Sequence, residues 1–200
     1  MHKGNSRVYL TAVSTVLHLR GQQTVPQPVT IDVPRIPSSR DAFLCWNGEA
    51  WSLDARPIVG NDSEVAFRLL SHVSQSVHSD SPDADENAVA SALASLRGPY
   101  AFAFFSPWKR RLYFGRDVLG RRSLLYSFTD SGDLLLSSIS DAGGAGWKEV
   151  EADGIYWIDL DTFAVNKRCD VRGLPWSEVK QREATTSVGA PFIVETAVVN

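Results

Sequence analysis

The stretch Tyr100–Ser106, YAFAFFS, is apolar at every position but the last. A strand with one wet face alternates apolar and polar residues, and a run without alternation is covered on both faces. This segment therefore predicts a sheet inside a layered domain. Two helical patterns precede it. Asn61 to about Gln75 puts Val65, Ala66, Leu69, Leu70 and Val73 on one face, and Asn61 with Glu64 resembles a capping box. Asn87–Leu96 is a weaker helix with Val89, Leu93 and Leu96 inward. Between them Ser76–Glu86 is polar and acidic, and reads as a loop. Strands follow: Leu112–Arg116, a hairpin of Leu124–Phe128 with Leu134–Ser138, and a second of Ile155–Leu160 with Phe163–Lys167 turning at Asp161 and Thr162. Upstream, Phe43–Trp46 is a short buried strand that stops at Asn47-Gly48. Pro26, Pro28, Pro34 and Pro37 make Gly21–Arg40 a loop with a short extended piece at most, and Val8–Leu19 reads as one strand or two short ones. The residues after Val171 read as a polar, irregular tail. The predicted class is α+β.

The chain has 200 residues, enough for one sizeable core. Its net charge of −3 gives no electrostatic case for nucleic acid or an anionic membrane. No apolar run reaches membrane-spanning length, and Val8–Leu19 is too interrupted by Thr11, Ser14, Thr15 and His18 for a signal peptide. The two cysteines, Cys45 and Cys169, make neither a disulfide scaffold nor a zinc site, and point to a reducing, cytoplasmic setting. His18, His72 and His78 lack metal-ligand spacing.

Taken singly, the polar motifs are ordinary. Asn47-Gly48 is a common turn dipeptide, Arg20 a solvated strand end, Asp62 a helix cap, Cys45 a buried inert thiol. Arg121 and Arg122 make a small basic patch on an acidic chain. Their order is less ordinary. Arg20 is followed by Asn47-Gly48-Glu49, by NDSE at 61–64, by RGPYAFAFF from Arg97 and by GRDVLGRRSLLY from Gly115 to Tyr126. This series resembles the glutaminase domain of class II, N-terminal-nucleophile glutamine amidotransferases, as found in asparagine synthetase. The likeness runs from about Val8 to about Asp161, and GRRSLL at 120–125 is more like the asparagine synthetase domain-containing branch.

The resemblance implies a four-layer αββα sandwich of antiparallel sheets of the N-terminal-nucleophile hydrolase type, N-terminally incomplete. It implies a domain over residues 1–170, with 171–200 a linker towards a synthetase domain in cis. Glutamine is the implied ligand, with neither nucleic acid nor membrane as partner. ATP and magnesium belong to the synthetase portion and no metal to this one. Hydrolysis of a side-chain amide passes through an oxyanion that needs preorganised donors. Asn47 and Gly48 match the residues that supply them. Arg20 matches the arginine that forks onto the substrate α-carboxylate. Glu49 and Asp62 match carboxylates around the α-ammonium, and Arg116 with Asp117 matches the pair that orders the turn behind the site. The nucleophile of the family is an N-terminal cysteine whose own amine is its base. This chain begins MHKGNSRVYL, which leads us to expect a fragment without turnover. The competing expectation is a non-catalytic glutamine-binding or interaction domain.

Overall fold

The computed structural model describes residues 8–16, 19–30, 42–76, 84–140, 146–166 and 169–179. Among the described residues, twelve strands and three α-helices run in the order β1 (Val29–Thr30), β2 (Phe43–Gly48), β3 (Ser52–Leu53), β4 (Arg56–Pro57), α1 (Asp62–Ser76), α2 (Ala84–Ser95), β5 (Leu96–Arg97), β6 (Tyr100–Ser106), β7 (Arg111–Arg116), β8 (Leu125–Phe128), β9 (Leu134–Ser137), β10 (Lys148–Glu149), β11 (Gly154–Asp159), α3 (Leu160–Asn166) and β12 (Val171–Pro175), followed by a short 3-10 turn at Trp176–Glu178. A six-stranded sheet has the order β1-β2-β6-β7-β11-β12, and two three-stranded sheets have the orders β10-β8-β9 and β4-β3-β5. All the pairings are antiparallel.

The large sheet is covered on both faces, as the apolar run of β6 requires. Phe102 and Phe104 join Leu44, Trp46, Tyr113 and Ile155 in one core with Val65, Phe67, Leu70, Val89 and Leu93 of α1 and α2. Ala101 and Phe114 face the other way, into a second core that includes Leu124, Ile158 and Leu160 and is joined by Tyr126, Leu134 and Leu136 from the β8–β9 hairpin. The described residues thus form a helix layer, the large sheet and the small sheet. They carry the expected α+β, antiparallel build, and the helix layer beyond the small sheet is not among them.

Several sequence expectations are corrected. Residues 8–16 of the expected first strand have no strand structure. Asn47-Gly48 is not a hairpin turn, since both residues stay in β2, paired with Ala101 and Tyr100. The β3–β4 hairpin turns instead at Asp54 and Ala55, with φ of 47° and 62°, where Asp54 is a turn former but Ala55 is not. α2 starts at Ala84, inside the segment read as an acidic loop. Its Asp85 and Glu86 are buried against Lys109 (3.0 Å) and Arg111 (2.6 Å), so tertiary charge pairing accounts for acids that looked solvated. Phe163 lies in a helix, not in the second strand of a hairpin, because the Asp159 carboxylate takes the Thr162 N–H (2.8 Å) and opens α3. The partner of β11 on that side is Val171–Pro175. The segment assigned to a linker from 171 therefore opens with five residues of the large sheet.

Candidate functional site

β2 ends in a crossing that only glycine permits. Gly48 has φ of +142°, and a Cβ there would lie 2.1 Å from the Pro99 carbonyl oxygen. Gly98 mirrors it, with φ of +153° and a Cβ that would meet the Glu49 carbonyl oxygen at 2.0 Å. With both side chains absent the backbones close up, and Glu49 N–H donates to Pro99 O and Trp51 N–H to Arg97 O, both at 2.8 Å. Hydrogen-bonded and open positions alternate along an antiparallel pair. Since Glu49 N–H is turned towards β6, that of Gly48 is turned away, to the side on which Trp46 N–H meets Gln27 Oε1 (2.7 Å).

Asn47 shares its sheet face with Cys45, and its side chain is exposed at the wall of a cavity of about 490 Å³ between the large sheet and β9. Gly48, Asn61, Asp62, Cys45 and Arg122 line the same cavity, together with Tyr9–Val16. Asp62 stands at the start of α1, 4% exposed. Its Oδ2 accepts the Trp46 indole N–H (3.0 Å) and the Ala50 N–H (2.8 Å), so it fastens the helix to the end of β2. The cap of α1 is Asn61, whose Oδ1 accepts the Ser63 and Glu64 N–H groups at 3.0 and 3.2 Å. Its Nδ2 donates to the Arg20 carbonyl (3.3 Å), which brings the residue-20 region to the same place. The Glu64 carboxylate faces Arg68 at 4.0 Å.

Arg20 and Glu49, both assigned to substrate by resemblance, bind one another. Arg20 Nη1 meets Glu49 Oε1 at 2.9 Å and Nη2 donates to Ile58 O at 3.0 Å. Neither residue lines the cavity. The structure thus gathers Asn47, Gly48 and Asp62 on the wall, with the Arg20–Glu49 pair behind the strand end. Arg116 and Asp117 stand apart from these and order a turn. Asp117 accepts the Leu119 and Arg121 N–H groups, the Arg121 Nε–H and the Tyr100 N–H. The buried Arg116 guanidinium donates to the carbonyls of Arg122 (2.8 Å), Val150 (3.0 Å) and Gly120 and pairs with Glu149 (2.7 Å).

Burial raises the Cys45 thiol above its ordinary value, against a hydrogen bond with Ser14 that works to lower it. Burial raises Cys169 as well, with Asp170 adding to it, to about 11. Both thiols are free and protonated at neutral pH. Sequence reading missed Gln27, Ser14 and Arg122. Gln27 sits in a proline-rich loop and Ser14 in a segment read as strand, and neither carried a signal. Arg122 was visible as half of an arginine pair, but its place on the cavity wall was not. No described helix is long and apolar enough to cross a membrane.

The pattern of the glutamine amidotransferase domain matches residues 45–142, which holds β2, the Gly98 crossing and the Asp117 turn. A mouse protein named asparagine synthetase domain-containing protein 1 is 33% identical over 178 residues, 87% of this chain and 26% of the relative. The chain thus spans about a quarter of the length of the curated relatives it matches. Among solved structures, an allosteric regulatory enzyme of purine biosynthesis superposes with a TM-score of 0.50 at 18% identity, over 74% of this chain and 30% of that one. A glutamine phosphoribosylpyrophosphate amidotransferase from B. subtilis gives 0.48 at 19% identity, over 74% and 31%. The chain belongs to the glutamine amidotransferase domain family.

Proposed function

We propose that this domain binds L-glutamine at the end of β2. The side-chain amide meets Asn47 and the Gly48 N–H, and the α-ammonium lies towards Asp62. The observation that carries this reading is the placement of an exposed amide, a glycine N–H turned away from its neighbouring strand and a buried carboxylate on one cavity wall. Two preorganised donors are what a developing amide oxyanion needs. In the complete protein, the ammonia from glutamine would serve asparagine formation by a synthetase portion in cis, which would use ATP and magnesium. Neither of the described cysteines is an activated thiolate, because burial raises both thiols. The chain therefore binds glutamine without turning it over. Its two free thiols fit a reducing cytoplasm.

Isothermal titration with L-glutamine, paired with an ammonia-release assay, tests this. Saturable binding that Asn47→Ala weakens at unchanged melting temperature, without ammonia release, is the expected result. Undiminished binding in N47A would remove the site from β2. Ammonia release abolished by Cys45→Ala would overturn the assignment of an inert thiol.

A further inference from the structure

We propose that Gln27 keeps the Gly48 N–H open to the ligand amide, by ending the β1–β2 ladder one residue pair short of it. This inference rests on the glutamine-binding reading and names a positioning residue for that site.

β1 and β2 pair antiparallel, with Val29 opposite Leu44. Each step back along the first strand is a step forward along the second, so the same register puts Gln27 opposite Trp46 and Val25 opposite Gly48. A continued ladder would bring main-chain carbonyls first to the Trp46 N–H and then to the Gly48 N–H. The structure departs from that pattern at Trp46, whose N–H donates to the side-chain Oε1 of Gln27 (2.7 Å). A side chain stands where a carbonyl would, so the Gln27 backbone is held farther from β2 than the ~4.8 Å of a regular ladder. Val25, two residues further back, is carried off with it and packs its side chain on the first core.

The inner edge of β2 offers Gly48 nothing either. Its partner in β6 is Tyr100. The Tyr100 carbonyl accepts the Asp117 N–H (2.8 Å) and the Tyr100 N–H donates to Asp117 Oδ2 (3.2 Å), so both groups are committed on the β7 side. Among the described residues no acceptor is brought to the Gly48 N–H. Val25, Gln27, Trp46 and Gly48 all line the cavity, so this open donor borders the space that takes the ligand. The Gln27 amide therefore has two effects. It satisfies the last edge donor that the ligand does not use, and it spaces the chain away from the one that the ligand does use.

The test compares L-glutamine with L-norvaline, which has the same carbon chain without the side-chain amide, by isothermal titration of the 200-residue chain. Wild type should prefer glutamine by roughly 10- to 100-fold, the size of a pair of well-aligned hydrogen bonds. Amide hydrogen exchange in wild type should be fast at Gly48 and slow down when glutamine is added. Gln27→Ala removes the spacer and lets the backbone close onto β2. It should bind the two ligands about equally, with norvaline affinity and melting temperature unchanged and with slower exchange at Gly48 than in free wild type. Gln27→Glu keeps an acceptor of the same length for Trp46 and should keep most of the preference. A full preference in Q27A, a loss of affinity for both ligands alike in Q27A, or a preference lost in Q27E as completely as in Q27A overturns the inference and leaves the glutamine site standing. If Q27A fails to fold, exchange in wild type decides: a Gly48 amide already protected without ligand overturns the inference. Wild type binding neither ligand, or both alike, refutes the glutamine reading itself, and this inference with it.

Discussion

Replacing Gly48 with alanine should break the strand crossing on which the site is built. The new Cβ would sit 2.1 Å from the Pro99 carbonyl oxygen and 2.7 Å from the Tyr100 Cα. Both atoms are backbone, so no side chain can swing aside and the strands must part by more than an ångström. The backbone conformation at φ +142° costs a non-glycine residue about 1–3 kcal/mol by itself. Parting the strands also removes the Glu49–Pro99 and Trp51–Arg97 hydrogen bonds, at about 1 kcal/mol each. The sum is about 3–5 kcal/mol, a large share of the roughly 5–15 kcal/mol that holds a domain together. At about 2–4 °C per kcal/mol for a chain of this size, the melting temperature should fall by roughly 6–20 °C. Gly98→Ala should behave alike, because its Cβ would meet Glu49 O at 2.0 Å. Gly60 separates the two contributions: its φ is +88°, yet a Cβ there meets nothing within 4 Å. Gly60→Ala should therefore show backbone strain alone, about 1 kcal/mol or a shift of about 2–4 °C. Circular dichroism melts of the three variants make the comparison. G48A melting within about 2 °C of wild type, or G60A falling as far as G48A, would refute the reasoning.

Asp62→Ala should cost about 2–5 kcal/mol, since it strands the buried Trp46 indole N–H and the Ala50 N–H without an acceptor, while Asp62→Asn should recover most of the loss. Urea denaturation reads this directly, and an unmoved midpoint for D62A would contradict it. The cysteines predict a dependence on alkaline pH. Both thiols titrate above their ordinary 9.0 when folded, so the stability they contribute is complete below pH 9 and is lost as pH rises through the folded values, near 11 for Cys169. At pH 8, iodoacetamide should label both far more slowly in the folded chain than in urea, and equal rates would show that burial does not hold the protons.

The elements that a single stretch of chain determines were legible without a fold. Val65, Ala66, Leu70 and Val73 recur at helical spacing and form the buried face of α1, and the unbroken apolar run of β6 announced a sheet covered twice. The ordered motifs from Arg20 to Tyr126 likewise exposed the family, because they set glycines and polar residues at intervals where backbones must approach or donors must point. What stayed hidden depended on partners far along the chain. Asp85 and Glu86 look solvated until Lys109 and Arg111 are brought against them, and Phe163 looks like strand until Asp159 caps its helix. Asn47-Gly48 looks like a turn until Pro99 arrives 2.8 Å from the next amide. The site divides in the same way. Asn47, Gly48 and Asp62 could be named from residue order, but the direction of a guanidinium is set by whatever carboxylate or carbonyl lies nearest in space. Arg20 is drawn to Glu49 and Ile58, 29 and 38 residues away, and Arg116 to Glu149 and the Val150 carbonyl, 33 and 34 residues away. A charge finds its counterpart through three dimensions, and one dimension holds only the list of candidates.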